Sequence, residues 1–331
     1  MLHDHDPAHT FQAMNTACST LGLPPFARRW VERWFAHVEE RASRFRPDSE
    51  LMRINQSLAP LHIVSLLMYQ LLREADLYFR RTDGIFSPYL GRWMHALGYE
   101  KSFEKLMEAP HGSRISPALT SMGECSGKKQ LYAVRNGRVY PSITINRGAW
   151  IDLGGIAKGW SVQTMAKWLQ REGLTEGVLN AGGDMVAWRD RESGQPWVAH
   201  ILPPHSHVED EVIARLELRG GSVALATSST QKRRWQRSDG EAAHHIIDPR
   251  TKRSSVSTIV QASVLLPDAT AAEVYAKCLI ILGEQEGIAW LHKEKPEAAY
   301  LLVRHDGSIK SSSNLDAYCT EYEVSKHVEC T

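Results

Sequence analysis

The sequence predicts an α/β or α+β fold built around a mixed sheet, and three observations support this. Helical and extended segments alternate along the 331 residues, as in domains that combine a sheet with covering helices. Apolar residues make up 43% and charged residues 23% of the chain, close to the average for soluble globular proteins. The chain contains no internal repeat and no low-complexity segment. Its length suits one large domain or two interlocked ones.

Four segments have the apolar periodicity of helices. Apolar residues recur at helical spacing over 27–44, with charges on the opposite face, and over 64–81, which ends at an Asp83-Gly84 turn. A third helix is expected after residue 155 and a fourth over 271–282. Runs rich in β-branched residues predict extended segments at 139–151, 177–180, 197–202, 212–218, 259–266 and, as the last strand, 297–303.

The charge balance excludes two classes of function. Lys and Arg total 39 against 38 Asp and Glu, which leaves a net formal charge of +1. Proteins that bind nucleic acid by neutralising phosphates carry an excess of positive charge, and docking to an acidic membrane surface requires one too. The longest apolar runs are far shorter than a transmembrane helix. We therefore expect no nucleic-acid partner and no membrane insertion.

The cysteines and the chain ends indicate a cytoplasmic protein. The five cysteines are odd in number and form no C-x-x-C pair, so we expect no disulfide framework and a reducing compartment. The N-terminal residues lack the basic and apolar regions of a signal peptide. Residues 1–10 are expected to be a flexible N-terminus. Residues 311–331, where the sequence turns polar and aperiodic, are expected to be a loosely held tail.

A glycine-rich turn joins a predicted strand to a predicted helix in the stretch Asp152-Leu-Gly-Gly-Ile-Ala-Lys-Gly159. Adjacent glycines let a ligand approach the backbone closely, and the first N–H groups of a helix point at any anion placed there. Phosphate is the obvious candidate. The stretch matches neither the Walker A loop nor the G-x-G-x-x-G dinucleotide fingerprint. Taken alone, it is more simply interpreted as a tight connection between the strand and the helix.

Three further stretches concentrate polar residues after predicted strands. They are Asn180-Ala-Gly-Gly-Asp184, Ala226-Thr-Ser-Ser229 and His244-His-Ile-Ile-Asp-Pro-Arg250. Each has a structural alternative. Asp184 can cap a turn, the hydroxyls can belong to an ordinary loop, and His245 can be a hydrogen-bonded core histidine.

Taken together and in this order, the four stretches resemble the motifs of the ApbE-type FAD:protein FMN transferases. Residues 43–55, S-R-F-R-P-D-S-E-L-M-R-I-N, resemble that family's S-x-Y-x-x-x-S-E-L-x-x-x-N segment. Residues 11–16, F-Q-A-M-N-T, are similar to its F-x-x-M-G-T opening, with Asn15 in place of the usual Gly. Residues 268–283 resemble its terminal metal-binding helix. The resemblance extends from residue 11 to about residue 305.

The resemblance implies an α+β, or mixed α/β, fold of two interwoven subdomains around mixed sheets, with FAD in the cleft between them. One such domain would cover residues 11–310. The implied reaction is Mg²⁺-assisted transfer of FMN from FAD to a Thr or Ser of an acceptor flavoprotein, with release of AMP. The residues implied to bind FAD are Met14, Ser43, Phe45, Glu50, Asp152, Gly154, Gly155, Lys158, Asn180, Gly182, Gly183, Asp184, Thr227, Ser228 and His245.

Roles in catalysis follow for a few of the matched residues. His245 titrates in a range suited to accepting the proton of the attacking hydroxyl. Asp248 either orients His245 or holds the turn. The metal would be bound through Ala157, near the pyrophosphate, and Glu273, which stands where the family has Asp.

Lys277 is the main departure from the family, because it stands where the family has a metal-binding Thr. A protonated Lys cannot ligate a metal. In one reading, its ammonium takes over part of the metal's work. In the other, Glu273 and Lys277 form an ordinary i,i+4 helix pair, or Thr270 and Glu273 form a capping box.

Lys277 also leaves a second function open. The chain is an FMN transferase or, as an alternative, a catalytically impaired FAD-binding or carrier protein of the same fold. A general flavin oxidoreductase fits less well, since the glycine turns do not match a dinucleotide-binding fold.

Overall fold

The computed structural model describes residues 8–99, 128–135, 138–145, 149–190, 195–204, 212–237 and 240–326. Of these, residues 128–135 and 138–139 are described by their backbone alone. The helices in these ranges are α1 Pro25–Ala42, α2 Glu50–Gln56, α3 Leu66–Arg81, α4 Gly91–Ala96, α5 Ala157–Arg171, α6 Ala269–Leu282 and α7 Glu284–Glu294. The four helices expected from periodicity are therefore confirmed, as α1, α3, α5 and α6.

The strands are more numerous than the sequence indicates. They are β1 His9–Ala13, β2 Thr16–Leu21, β3 Leu61–Ile63, β4 Lys128–Arg135, β5 Arg138–Thr144, β6 Gly177–Ala181, β7 Asp184–Arg189, β8 Trp197–Ile201, β9 Ala214–Leu218, β10 Gly221–Ser229, β11 Arg234–Gln236, β12 Ala242–His244, β13 Ile247–Asp248, β14 Arg253–Ser254, β15 Ile259–Leu266, β16 Ala299–Arg304, β17 Ile309–Ser311 and β18 Cys319–Val324.

The chain forms two compact units, each built from separate stretches of sequence. Unit 1 comprises Met1–Phe35, Lys158–Arg233 and Ser255–Thr331, and unit 2 comprises Ala36–Ala157 and Arg234–Ser254. The α+β class and the interweaving of two subdomains along the sequence are thus confirmed.

An eight-stranded sheet in the order β1-β2-β6-β7-β10-β15-β16-β17 forms the centre of unit 1. All of its neighbouring strands are antiparallel, as are the other strand pairs in the described ranges. The expectation of mixed sheets is corrected here. The pairs β1-β2, β6-β7 and β16-β17 are joined by short hairpins, and only antiparallel strands can be joined that way.

Both faces of the large sheet are covered. One face packs against apolar residues of α1 and α5, such as Phe35 and Val162. The other packs against a three-stranded sheet in the order β18-β9-β8. The neighbours Val178 and Leu179 belong to the two different clusters, as the alternation of side chains along a strand requires.

Helix α6 is buried on nearly all sides, between β10 and β15 of the sheet and helix α7. A helix that is apolar all round is stable only inside a core. The position of this helix makes any charge on it costly unless the charge is paired. Glu273 and Lys277 are such charges.

The C-terminal segment differs from the expected loose tail. Strand β18 pairs with β9, from Cys319 with Leu218 to Val324 with Ala214, and β16 is not the last strand. Most side chains of β18 are exposed, so the segment shows little apolar periodicity. Its backbone hydrogen bonds to β9, the central strand of that sheet, stabilise it without requiring an apolar sequence.

Unit 2 combines helices α2, α3 and α4 with small sheets. Its three-stranded sheet has the order β3-β5-β4, and two hairpin pairs, β11-β12 and β13-β14, come from its second stretch of chain. The amide of Asn55 fastens this unit internally. Its nitrogen donates to the Ile151 carbonyl at 2.9 Å, and its oxygen accepts from the Ile151 N–H at 2.8 Å.

The variant Asn55→Ala tests this fastening. It removes the partners of two buried backbone groups of Ile151, so we expect the free energy of unfolding to fall by about 2–4 kcal/mol. Guanidinium denaturation measures the change. The neighbouring exposed variant Gln56→Ala is the control and should change stability by less than about 0.5 kcal/mol. Equal stability of the two variants would contradict the role assigned to Asn55.

Candidate active site

Two hairpin turns lie at the same end of the eight-stranded sheet in unit 1. Met14 and Asn15 join β1 to β2, and Gly182 and Gly183 join β6 to β7. All four residues have positive φ, between 53° and 96°, as type I′ hairpin turns require. Since β2 pairs with β6 through Cys18 and Ala181, the two turns are neighbours. Asn is the ordinary residue best suited to this conformation after Gly, which accounts for Asn15.

The second turn is held closely against the first hairpin. A Cβ on Gly182 would lie 2.3 Å from Thr16 Oγ1, so only glycine fits. The Gly182 N–H donates to the Ala17 carbonyl at 3.0 Å, and the Gly183 N–H donates to Asn180 Oδ1 at 3.0 Å. The backbone of this turn is therefore fixed by contacts on both sides.

Strand β10 brings hydroxyl groups to this end of the sheet. Ala226 lies opposite Asp184, and the Thr227 N–H donates to the Gly183 carbonyl at 3.2 Å. Thr227 Oγ1 lies 2.8 Å from Ser263 Oγ on β15. The structure thus brings together a group of expected site residues: Met14, Asn180, Gly182, Gly183, Asp184, Thr227 and Ser228.

A cluster of two buried carboxylates and two partly buried ammonium groups adjoins these turns. We call Lys158, Asp184, Glu273 and Lys277 the charge cluster. Asp184 is 1% exposed and Glu273 0%. Lys158 Nζ donates to Asp184 Oδ2 and, at 3.0 Å, to Glu273 Oε1. Lys277 Nζ donates to Glu273 Oε1, also at 3.0 Å.

The other oxygen of Glu273 binds the start of helix α5. Glu273 Oε2 accepts the Gly159 N–H at 2.8 Å, where the helix dipole favours a negative charge. A Cβ on Gly159 would lie 2.5 Å from the Ala269 carbonyl oxygen, so glycine is required for α5 and α6 to approach this closely. At Gly159, the helix N–H group that was expected to face a ligand anion therefore binds the Glu273 carboxylate of the chain itself.

The start of α6 corrects the expected capping box. Asp268 is the N-cap residue, and its Oδ1 accepts the N–H groups of Thr270 and Ala271 at 2.9 and 3.1 Å. Glu273 faces the lysines instead, because its carboxylate gains more from two ammonium groups than from an N-cap already satisfied by Asp268. The i,i+4 pair of Glu273 and Lys277 exists, but as one part of the charge cluster.

The cluster shifts the pKa values of its carboxyl groups in opposite directions. Burial raises the pKa of Asp184 to about 6, and the charge of Glu273 acts in the same direction. Burial would also raise the pKa of Glu273, but the Lys158 and Lys277 ammonium groups and the Gly159 N–H lower it to about 2. Burial would lower the pKa of Lys158, yet the two carboxylates raise it.

Two residues of this region were missed in the sequence. Lys232 follows the hydroxyl run, and its positive charge acts on Asp184, while burial lowers its own pKa. Ser263 meets Thr227 from the middle of an apolar strand. A lone hydroxyl in an apolar run was a usable signal for Ser263. Lys232, in the charged run Gln231-Lys-Arg-Arg234, offered none.

The charge cluster does not fit a divalent metal. Both oxygens of Glu273 accept hydrogen bonds, and Lys277, four residues later on the same helix, carries an ammonium group that cannot ligate a metal. Two carboxylates already pair with two lysines, so the cluster has no spare negative charge to offer Mg²⁺. In the ranges with described side chains, no three His, Cys, Asp or Glu residues lie together as a ligand group. Of the two residues expected to bind the metal, Ala157 is the first residue of α5 and Glu273 lies within α6.

In unit 2, the segment 43–55 is held by its own polar side chains. Ser43 Oγ accepts the Phe45 N–H at 3.2 Å, and Ser49 caps helix α2 through the Met52 N–H at 3.0 Å. Glu50 binds the N–H and hydroxyl of Ser65 at 2.6 and 2.7 Å, and Arg41 at 2.9 Å. These contacts of Glu50 fasten the start of α3, a structural use that the motif did not indicate.

The glycine turn of unit 2 is arranged around Asp152. Its Oδ1 accepts the Gly154 N–H at 2.7 Å, and its Oδ2 pairs with Arg44 Nε at 3.1 Å. Gly154 and Gly155 then lead into α5. Since Asp152 follows directly after Ile151, the Asn55 fastening also positions this carboxylate.

Aromatic rings surround Arg44 in the same unit. Its guanidinium carbon lies 4.1 Å from the centroid of the Phe45 ring and 4.4 Å from that of Tyr99. Tyr99 stacks on Trp235 at 5.0 Å. Phe45 thus belongs to an aromatic cluster, which can offer an aromatic face to a flat ring.

His245 lies in a bend between β12 and β13 and is half-buried. The preceding residue, His244, is clamped by Ser254, whose Oγ accepts the His244 N–H and donates to the His244 carbonyl, both at 2.9 Å. Asp248 uses both oxygens on Arg250, at 2.8 to 3.2 Å. These contacts support the turn-holding alternative for Asp248.

The variant Glu273→Gln tests the charge cluster. Two partly buried lysines lose their shared carboxylate, so we expect the free energy of unfolding at pH 7 to fall by about 3–5 kcal/mol. Because the pKa of Glu273 is lowered from 4.5 to about 2, its contribution is complete above pH 4.5 and is lost as the pH falls toward 2. The difference from the unmutated protein should therefore shrink below pH 4.5.

Denaturation curves at several pH values provide the measurement for Glu273→Gln. The exposed variant Glu172→Gln is the control and should leave stability nearly unchanged. A Glu273→Gln variant as stable as the unmutated protein at pH 7 would show that the lysines do not depend on this carboxylate.

Comparisons with known proteins identify the family of the chain. A sequence profile of the ApbE family matches residues 11–302. An FAD:protein FMN transferase of Vibrio cholerae is 25% identical over 282 residues, covering 84% of this chain and 79% of the relative. One of Salmonella typhimurium is 26% identical, covering 81% and 74%.

A solved structure shares the fold over nearly the whole chain. The ApbE protein of Thermotoga maritima superposes with a TM-score of 0.77 at 25% identity, covering 96% of this chain and 100% of that one. The flavin transferase ApbE of Vibrio cholerae gives a TM-score of 0.68 at 21% identity, covering 95% and 100%. No described helix is long and apolar enough to cross a membrane. On the family profile and the shared fold, this chain belongs to the ApbE family.

Proposed function

We propose that the chain is an FAD:protein FMN transferase, which moves FMN from FAD to a Thr or Ser hydroxyl of an acceptor flavoprotein. The observation that carries the proposal is the match to the ApbE family over residues 11–302. The relatives that match it over most of their length have this activity as their name.

The reaction is a phosphoryl transfer. The acceptor oxygen forms a bond to the FMN phosphorus, and the bond from that phosphorus to the bridging oxygen of FAD breaks. The hydroxyl loses its proton, and AMP leaves with the bridging oxygen. Such a transfer asks the protein to position its reactants and to neutralise charge rather than to form covalent intermediates.

The described end of the unit 1 sheet can supply both requirements. Gly182 and Gly183 present a backbone that a ligand can approach closely. Lys158 places an ammonium beside Asp184, directly after that turn, and Lys277 shares Glu273 with it; such cations suit a pyrophosphate with developing negative charge on the AMP oxygen. We retain as FAD contacts the residues that the family match implies, including Phe45 and Gly154 of unit 2.

His245 is the proposed general base. It accepts the hydroxyl proton of the acceptor as the new bond forms. Asp248 supports the turn next to His245 through Arg250, so its role is positioning. Magnesium, which the family resemblance implies, is not part of this proposal, because the charge cluster does not offer its ligands.

A carrier that binds FAD without transferring FMN is the second candidate. Lys277, at a position where the family has a metal ligand, favours it. FAD binding is common to both functions, so only transfer separates them.

The test is incubation of the protein with FAD and a small FMN-binding acceptor domain. Covalent flavin fluorescence on a denaturing gel reports transfer, and chromatography reports AMP. We expect AMP and labelled acceptor in equal amounts, and no label on an acceptor whose Thr is replaced by Ala. FAD binding with neither AMP nor label would instead support the carrier.

The variant His245→Ala tests the proposed base. We expect transfer to slow by about 10²–10⁴-fold, a larger loss than any change in FAD affinity, because the base acts on the acceptor hydroxyl. Flavin fluorescence quenching measures affinity. The exposed variant His200→Ala serves as the control and should transfer normally. Full activity of His245→Ala would remove the residue from the mechanism.

A further inference from the structure

We propose that the Lys277 ammonium is a built-in cation that takes the place of a divalent metal, so that FMN transfer by this chain needs no metal. This rests on the proposed function. It differs from what the family resemblance implies, since that resemblance predicts a metal held by the residues at positions 273 and 277.

Both carboxylate oxygens of Glu273 already accept hydrogen bonds from the chain itself. Its Oε1 accepts from two ammonium groups at 3.0 Å, and its Oε2 accepts a backbone N–H at 2.8 Å. A metal ligated through Oε1 would have to displace one of the two ammonium groups, since both acceptor sites of that oxygen are in use. On α6, the ammonium that such a metal would displace is that of Lys277, whose Nζ also lies 3.4 Å from the Glu273 carbonyl oxygen. The ammonium therefore occupies the place that a metal on Glu273 would take.

The positive and negative charges of the cluster are already equal in number without a metal. Lys158 and Lys277 balance Asp184 and Glu273, and Lys232 adds a further positive charge that acts on Asp184. Asp184 Oδ1 is buried and has no hydrogen-bond partner among the described residues, so it is the remaining carboxylate oxygen open to a cation. One such oxygen, on a carboxylate already paired with the Lys158 ammonium, is a poor site for Mg²⁺, because that ammonium repels the metal.

The Lys277 side chain is largely shielded from solvent. Its side chain is 14% exposed and lies on a helix that is otherwise apolar on nearly all sides. A lysine in such a place costs free energy unless its charge is paired. Its partner is the residue that the family uses toward the metal. The exchange of a metal ligand for an ammonium therefore keeps positive charge at one place in the fold.

The experiment compares the unmutated protein, Lys277→Thr, Lys277→Met and the exposed control Lys293→Thr. Each is incubated with FAD and the acceptor domain, in Mg²⁺ or in EDTA, and both label and AMP are measured. Binding of Mn²⁺ is measured separately by electron paramagnetic resonance, with and without FAD. Thermal melts confirm that the variants are folded.

We expect the unmutated protein and Lys293→Thr to transfer at rates within about twofold in EDTA and in Mg²⁺, and to bind no Mn²⁺. Lys277→Met should slow transfer by about 10²-fold or more in both conditions, because charge stabilisation is lost and Met offers no hard ligand. Lys277→Thr should bind Mn²⁺ and transfer only when a metal is present.

Transfer that stops in EDTA and returns with Mg²⁺ in the unmutated protein would overturn the inference and leave the proposed function standing. Stoichiometric Mn²⁺ binding by the unmutated protein would also overturn the inference. If no variant releases AMP or labels the acceptor, the proposed function fails, and the Mn²⁺ titration still decides whether Lys277 fills a metal's place.

Discussion

The buried carboxylate of Glu273 is the interaction on which the described site of unit 1 depends. It lies on a helix enclosed by apolar neighbours, and it is stable there only because two ammonium groups and one backbone N–H bind its two oxygens. Those donors come from α5 and from α6 itself, so the same contact joins the two helices. Gly159 completes the arrangement, since a side chain at that position would push α5 away from Ala269.

The charge cluster is linked to the sheet through Asp184. This residue begins β7 directly after the Gly182-Gly183 turn, and that turn is fitted against Thr16 of the neighbouring hairpin. A displacement of α5 or α6 would therefore reach the turn through Lys158 and Asp184. A site built on paired strands and packed helices holds its groups more precisely than one built on loops.

Much of this arrangement is predictable from sequence, and the failures have physical causes. Apolar periodicity locates α1, α3, α5 and α6 because each has a face, or its whole surface, in a core. It does not locate β18, whose stability comes from backbone pairing. The capping box was wrong because Asp268 caps α6 and leaves Glu273 free to meet lysines from elsewhere. The order of the motifs indicates Asp184, Lys158 and Glu273 as candidate site residues. Only the fold shows that their charged groups are in contact.

The most direct test is a crystal structure of the protein with FAD, grown in Mn²⁺ and measured at a wavelength where manganese scatters anomalously. The account predicts Lys277 Nζ within hydrogen-bond distance of Glu273 and no manganese peak in the charge cluster. A manganese ion bound to Glu273 or Asp184, with the Lys277 side chain turned away, would contradict it.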